Sequence, residues 1–267
     1  MARGEHLRAL LVGAVTGIAG GFFGVGGGAV MVPMLTTGLA LTQHQAHGTS
    51  LATIGFMALV SIAVYATHGN VDWITAALIA VTSVITARYG ARLAQRTSPR
   101  RLTQFFAVFL MILAVRLLGW APEHAIRPVD AGTARVILLL VLGPVVGLLA
   151  GYMGVGGGIL LVPALTMLVG APQHLAQGTS LAVILAAAPA GAIEHARHGN
   201  VVGRLVPRLA IGAAVGGILA SLVAQRVSSG SLTRAFGVFL LVNSIYAWVR
   251  ARRGGAEAVE LEDVPQP

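Results

Sequence analysis

The chain contains no cysteine, and all of its 18 basic residues are arginine. The lack of cysteine excludes disulfides, thiol catalysis and thiolate metal sites. Acids are scarce too: between His6 and Ala256 the only ones are Asp72, Glu123, Asp130 and Glu194. Charged residues make up 10% of the chain, against about 25% in a soluble domain. Such a chain cannot cover itself with polar surface, so a lipid bilayer is its expected solvent. The formal net charge of +9 would suit nucleic acid, but the arginines sit beside apolar runs rather than in a basic, aromatic-laced patch, and no nucleic-acid partner is expected. There is no pair of carboxylates, no H-E-x-x-H and no Ser-His-Asp pattern, which leaves a membrane-embedded enzyme without machinery. Nothing calls for a cofactor or a metal.

What the chain has in abundance is apolar sequence, 56% of the total, and 35 glycines. It also has a duplication. An offset of 130 residues superimposes two halves without a gap. "GVGGG" at 24–28 meets "GVGGG" at 154–158, and Pro33 meets Pro163. "QHQAHGTSLA" at 43–52 meets "QHLAQGTSLA" at 173–182, and "HGNV" recurs at 68–71 and 198–201. Internal repeats of this kind are common in transporters. The expected organisation is a first transmembrane repeat over 1–119, a linker over 120–135, a second repeat over 136–250 and a disordered acidic tail over 251–267. The apolar run at the N-terminus resembles a signal peptide, but its equivalent lies deep in the chain at 136–153, so it reads as part of the fold.

Each half holds two short apolar segments around the glycine cluster and three longer ones. A spanning helix needs roughly 20 apolar residues. The fold expected is therefore an all-α polytopic membrane protein of two inverted repeats, each a glycine-broken helical hairpin plus three spanning helices. The broken pair either crosses fully or turns back inside the membrane, and both versions return the chain to its side of entry. On this topology only Arg116, Arg127, Arg135, Arg226 and Arg234 lie on one side, and the other arginines all fall on the opposite one. Cytoplasmic loops are rich in arginine, which puts both termini in the cytoplasm.

Irregular backbone at membrane depth is tolerated only where protein or a water-filled cavity satisfies it. Each break is followed by a helix start, expected at Ala29 and Ile159, whose first N–H groups lack intrahelical acceptors and sit at the positive end of the dipole. That combination suits an anion. Gly26, Gly27 and Gly28 with Gly156, Gly157 and Gly158 are the candidate backbone donors. The alternative for glycine is close helix packing, which fits the spacings Gly13–Gly17–Gly21 and Gly143–Gly147–Gly151. "GVGGGA" matches a dinucleotide fingerprint, but its second copy does not and no acid follows at the required distance. Thr49, Ser50, Thr179 and Ser180 open apolar helices; they are N-caps or hydroxyl donors to the same anion, or both, with one hydroxyl capping and the other facing the cavity. His44, His68, His174 and His198 fall near helix ends and read as interfacial. Glu194, whose repeat partner is Val64, and His195 are the candidates for a coupling proton, since ionisable residues inside membrane segments are functional candidates.

The doubled order G-x-G-G-G-x-x-x-V-P, A-x-G-T-S-L, H-x-x-G-x-V resembles the sulfite exporter TauE/SafE family of membrane transporter proteins, over nearly the whole of residues 7–250. The resemblance implies a multi-pass bacterial inner-membrane permease for a small anion, often sulfur-containing, such as sulfite or an organosulfonate. It carries the glycine-proline segment to Gly24, Gly26, Gly27, Gly28 and Pro33 and to Gly154, Gly156, Gly157, Gly158 and Pro163. It carries the G-T-S-L segment to Thr49 and Ser50 and to Thr179 and Ser180. The departure is His47, which faces Gln177 across the repeat, so the half-sites differ chemically. The reading is a transporter of a small anion by alternating access between the two repeats, driven by a proton or sodium ion if coupled; a passive anion channel is the alternative. The sequence leaves the identity of the anion, its direction and the oligomeric state open.

Overall fold

The computed structural model describes residues 3–96, 99–119 and 132–262; most of the expected linker lies outside them. The described residues form ten helices and no strand: α1 Arg3–Phe23, α2 Gly28–Gly38, α3 Gln43–Thr67, α4 Trp73–Ala94, α5 Pro99–Leu117, α6 Thr133–Met153, α7 Gly158–Leu168, α8 Gln173–Arg197, α9 Val206–Ala224 and α10 Ser229–Glu262. Seven of them are long and apolar enough to cross a bilayer: α1, α3, α4, α6, α8, α9 and α10. Large apolar side chains stand exposed along them, such as Leu7, Leu11, Val15 and Ile18 on α1 and Ile211, Val215, Leu219 and Leu222 on α9. In water these stripes would be a liability, and in hydrocarbon they are the solvent-facing surface.

Several boundaries differ from expectation. α3 starts at Gln43 rather than 49, because Thr42 forms a capping box with Gln45. α8 starts correspondingly at Gln173, after Pro172. α10 runs on to Glu262.

The helices fall into two compact units: one of residues 1–95 and 126–232, the other of 96–125 and 233–267. Within the second, Ser244 donates to the Ala107 carbonyl at 2.7 Å. The first unit interleaves the sequence halves. On α1, Gly13, Gly17 and Gly21 lie against the carbonyls of Leu209, Ala213 and Gly217 on α9. On α6, Gly143, Gly147 and Gly151 lie against those of Ile79, Ser83 and Ala87 on α4. In each pair both residue numbers rise together, so the helices run parallel. A Cβ at any of the six would collide with a carbonyl oxygen, so the packing reading of these spacings holds. α3 and α8 instead cross antiparallel: Gly48 abuts His195, Leu51 meets Gly191, and Tyr65 meets Gly178. Ion pairs tie helix starts together, Arg135 to Asp72 at 3.7 Å and Arg204 to Glu5 at 3.9 Å.

α2 has 11 residues and spans about 16 Å, half a bilayer core. Its Met31, Val32 and Leu35 pack with Ala9 and Val12 of α1, Ala46 of α3 and Leu209 of α9. Those partners lie at the starts of their helices, so α2 doubles back along α1 toward the end where α1 began. The glycine-broken pair is a hairpin.

Candidate functional site

The two glycine breaks meet inside the first unit and are fully buried. Gly24, Gly26 and Gly27 hold φ of 67°, 81° and 73°, and Gly154, Gly156 and Gly157 hold 67°, 77° and 78°. L side chains rarely adopt that left-handed region, and three such residues in four turn the chain sharply from a long helix into a short one. The breaks also touch directly. A Cβ built on Gly158 would stand 2.6 Å from the Val25 Cα, and one on Gly28 would run into Val155. Gly26 and Gly156 both face Ile54 of α3 and Ile184 of α8, which fill the midpoint between the breaks.

The short helices start one residue earlier than expected, at Gly28 and Gly158. The Val30 and Met31 N–H groups donate to the Gly27 carbonyl at 3.0 Å, and the Leu160 and Leu161 N–H groups to the Gly157 carbonyl at 3.1 and 3.0 Å. This leaves the N–H groups of Gly28, Ala29, Gly158 and Ile159 without intrahelical acceptors. Both positive helix ends therefore sit at one buried junction.

The four hydroxyls of the G-T-S segments divide into two kinds. None is an N-cap, since α3 and α8 begin six or seven residues earlier, at Gln43 and Gln173; this corrects the capping reading. Thr49 Oγ1 accepts the Val202 N–H at 3.0 Å, and Thr179 Oγ1 accepts the Asp72 N–H at 2.9 Å. These two clamp each core helix to a loop of the other half. Ser50 and Ser180 are fully buried and their hydroxyls make no hydrogen bond among the described residues. The Ser180 Oγ lies 2.9 Å from where a Gly158 Cβ would be, beside the start of α7. Other buried hydroxyls have partners, some in their own helix, such as Thr16 with the Val12 carbonyl and Thr53 with the Thr49 carbonyl, and some in another, such as Ser221 with the Gly21 carbonyl. An unpaired buried hydroxyl is expensive, and these two occupy repeat-equivalent positions.

Glu194 is buried and ion-paired. Its carboxylate accepts from Arg92 Nε of α4 at 2.8 Å and from Arg197 at 3.4 Å. His195 is buried, with Nε2 at 3.0 Å from the Gly151 carbonyl. His68 and His198 are exposed, as interfacial histidines should be. Sequence reasoning missed Ile54 and Ile184 and the Tyr65 hydroxyl, which donates to the Gly21 carbonyl at 3.0 Å. The 130-residue offset relates Ile54 to Ile184 and could have flagged them. A cavity of about 360 Å³ between α3 and α8 is lined by Leu51, Phe56, Leu185 and Pro189 among other apolar residues. It offers an anion no polar group.

Comparison with known proteins agrees with this architecture. A probable membrane transporter protein of Xylella fastidiosa (strain Temecula1) is 28% identical over 244 residues, 88% of this chain and 91% of its own. The probable membrane transporter protein YunE of Bacillus subtilis is 26% identical over 255 residues, 87% of this chain and 93% of its own. A probable membrane transporter protein of Methanocaldococcus jannaschii, MJ0441, is 29% identical over 164 residues, 59% of this chain and 60% of its own. No solved structure matches the chain. The model of the family described as sulfite exporter TauE/SafE matches residues 2–117 and 139–266, nearly the whole of both halves, and the chain belongs to that family of membrane transporters.

Proposed function

We propose that the protein carries a small anion, a sulfonate or sulfite, across the bacterial inner membrane by alternating access, with both termini in the cytoplasm. One observation carries the reading: two glycine-started helix N-termini meet at one buried junction beside the unpartnered Ser180 hydroxyl, whose repeat equivalent, the buried Ser50 hydroxyl, also has no partner among the described residues. Backbone N–H groups and helix dipoles favour negative charge, and the hydroxyls supply further donors. The antiparallel crossing of α3 and α8, which the repeat makes equivalent, supports halves inverted across the bilayer. In the conformation described here Ile54 and Ile184 close the midpoint, which favours a carrier over an open channel. The bodies that move are then composite: the parallel, glycine-packed pair α1–α9 with α2 on one side, and α6–α4 with α7 on the other.

The test is exchange in proteoliposomes. Vesicles preloaded with unlabelled methanesulfonate should take up labelled methanesulfonate far faster than protein-free vesicles. A Ser50→Ala/Ser180→Ala double variant should bind it about 10- to 100-fold more weakly, since each hydroxyl hydrogen bond contributes about 0.5–1.5 kcal/mol. Wild-type uptake no faster than in empty vesicles for sulfonates, sulfite, sulfate and carboxylates alike would refute the reading.

A further inference from the structure

The repeat builds two half-sites of matching backbone, but their side chains differ. In one, Ser180 lies one helical turn from Gln177, which packs against Gly24. Tyr65 Oη donates to the Gly21 carbonyl at 3.0 Å and lies 3.1 Å from Gln177 Oε1. In the other, Ser50 lies one turn from His47, which packs against Gly154. There His195 takes the place of Tyr65, and its Nε2 lies 3.0 Å from the Gly151 carbonyl, the repeat equivalent of Gly21. The same carbonyl is met by a phenol in one half and by an imidazole in the other.

That substitution has a chemical consequence. A carbonyl only accepts, so His195 Nε2 carries the hydrogen and Nδ1 is left as an acceptor. Nδ1 is buried and has no hydrogen-bond partner, and the residue is 0% exposed. A second proton can therefore bind at Nδ1 without breaking the bond to Gly151. Resting on the anion reading above, we infer that His195, packed against Gly48 directly after His47, is a proton-binding site coupled to the anion in the Ser50 half-site, so that the anion crosses together with a proton.

The surroundings support this placement. On α8 itself the neighbours are Glu194, already matched by Arg92 and Arg197, and His198, whose Nδ1 bonds the Glu194 carbonyl at 2.8 Å. From α3 come His44 and His47; α4 contributes Arg92, held by Glu194. From α6 comes the Gly151 carbonyl, and α7 has no titratable side chain. Among the described residues no carboxylate is left to balance an imidazolium at His195. A buried cation without a counter-charge is unfavourable, and an anion beside Ser50, one turn from His47, supplies the missing charge. Coupling of two binding events is reciprocal, so the proton tightens anion binding as much as the anion tightens proton binding. Tyr65 and Gln177 bind no proton in the physiological range, which confines coupling to one half-site.

The experiment uses reconstituted full-length protein with methanesulfonate, which is ionised at every working pH, so that any pH dependence belongs to the protein. Membrane potential is clamped with potassium and valinomycin. An inward gradient of one pH unit should let the wild type accumulate the label up to about tenfold, the ratio one proton per monovalent anion supports. A protonophore should abolish the accumulation. In His195→Gln, and in His47→Gln/His195→Tyr, which gives this half-site the residues of the other, the accumulation ratio should fall to about one whatever the exchange rate. If one variant misfolds, the other carries the test. Wild-type exchange that a pH gradient cannot concentrate, or a folded variant that still concentrates tenfold, overturns the proton site while leaving the anion reading standing. Absence of wild-type exchange at equal pH overturns the anion reading, and the proton site with it.

Discussion

Replacing Gly26 with alanine separates the binding role of the glycine breaks from their packing role. Gly26 has φ of 81°, so an L residue there is strained by about 1–2 kcal/mol. Sterically the position is the mildest of the break: the new Cβ would stand 3.2 Å from Ile184 Cδ1 and 3.7 Å from Ile54 Cδ1, both ends of flexible side chains. Gly27 has a similar φ of 73°, but its Cβ would run into the Thr16 carbonyl of α1. Overpacking against fixed backbone adds about 1–3 kcal/mol, and substitution at Gly27 is thus a fold lesion rather than a site lesion. Gly26→Ala should lower the melting temperature by roughly 2–8 °C, at about 2–4 °C per kcal/mol for a chain of this size, and Gly27→Ala by about twice as much. Gly26→Ala also places a methyl at the midpoint where the breaks, Ile54 and Ile184 converge. Methanesulfonate exchange should fall at least tenfold, a barrier change of about 1.4 kcal/mol, in protein that is still folded. The assays are thermal melting in detergent and exchange normalised to folded protein in the vesicles. Exchange within twofold of wild type would show that the anion does not pass Gly26, and equal melting of the two variants would refute the geometry assigned to Gly27.

Ser50→Ala and Ser180→Ala should each weaken methanesulfonate binding about three- to tenfold, from one lost hydrogen bond of about 0.5–1.5 kcal/mol. Neither should lower the melting temperature of the ligand-free protein, because the hydroxyls have no partner in it; a clear drop in ligand-free stability would show a structural role instead. Gly17→Ala and Gly147→Ala meet the carbonyls of Ala213 and Ser83 at equivalent places, and should destabilise the protein by similar amounts, each about 1–3 kcal/mol, read as similar drops in melting temperature. A loss confined to one of them would break the equivalence of the two packed pairs. Reporter fusions after Gly254 and within 94–101 should both read cytoplasmic, and a periplasmic signal at 94–101 would rule out inverted halves.

Much of this protein is written locally. The scarcity of charge and the apolar runs determine a helical membrane protein, because in hydrocarbon a helix is the form that satisfies every backbone polar group within its own segment. The exact 130-residue offset fixes the duplication, and clustered glycines fix where each long helix must break. Even the packing role of Gly13, Gly17 and Gly21 is legible, as small residues at helical spacing. What the sequence does not determine is which surfaces meet. That α1 packs on α9 and α6 on α4, across the halves, depends on the fit of glycines to particular carbonyls, a property of two surfaces at once. Thr49 and Ser50 are neighbours in one motif and read alike. Only the tertiary structure divides them, because the backbone N–H of Val202 reaches Thr49 and no hydrogen-bond partner among the described residues reaches Ser50. The same holds for His195. Its mismatch with Tyr65 is visible in the alignment of the halves, but its meaning comes from the Gly151 carbonyl at 3.0 Å, which occupies one ring nitrogen and leaves the other free to take a proton.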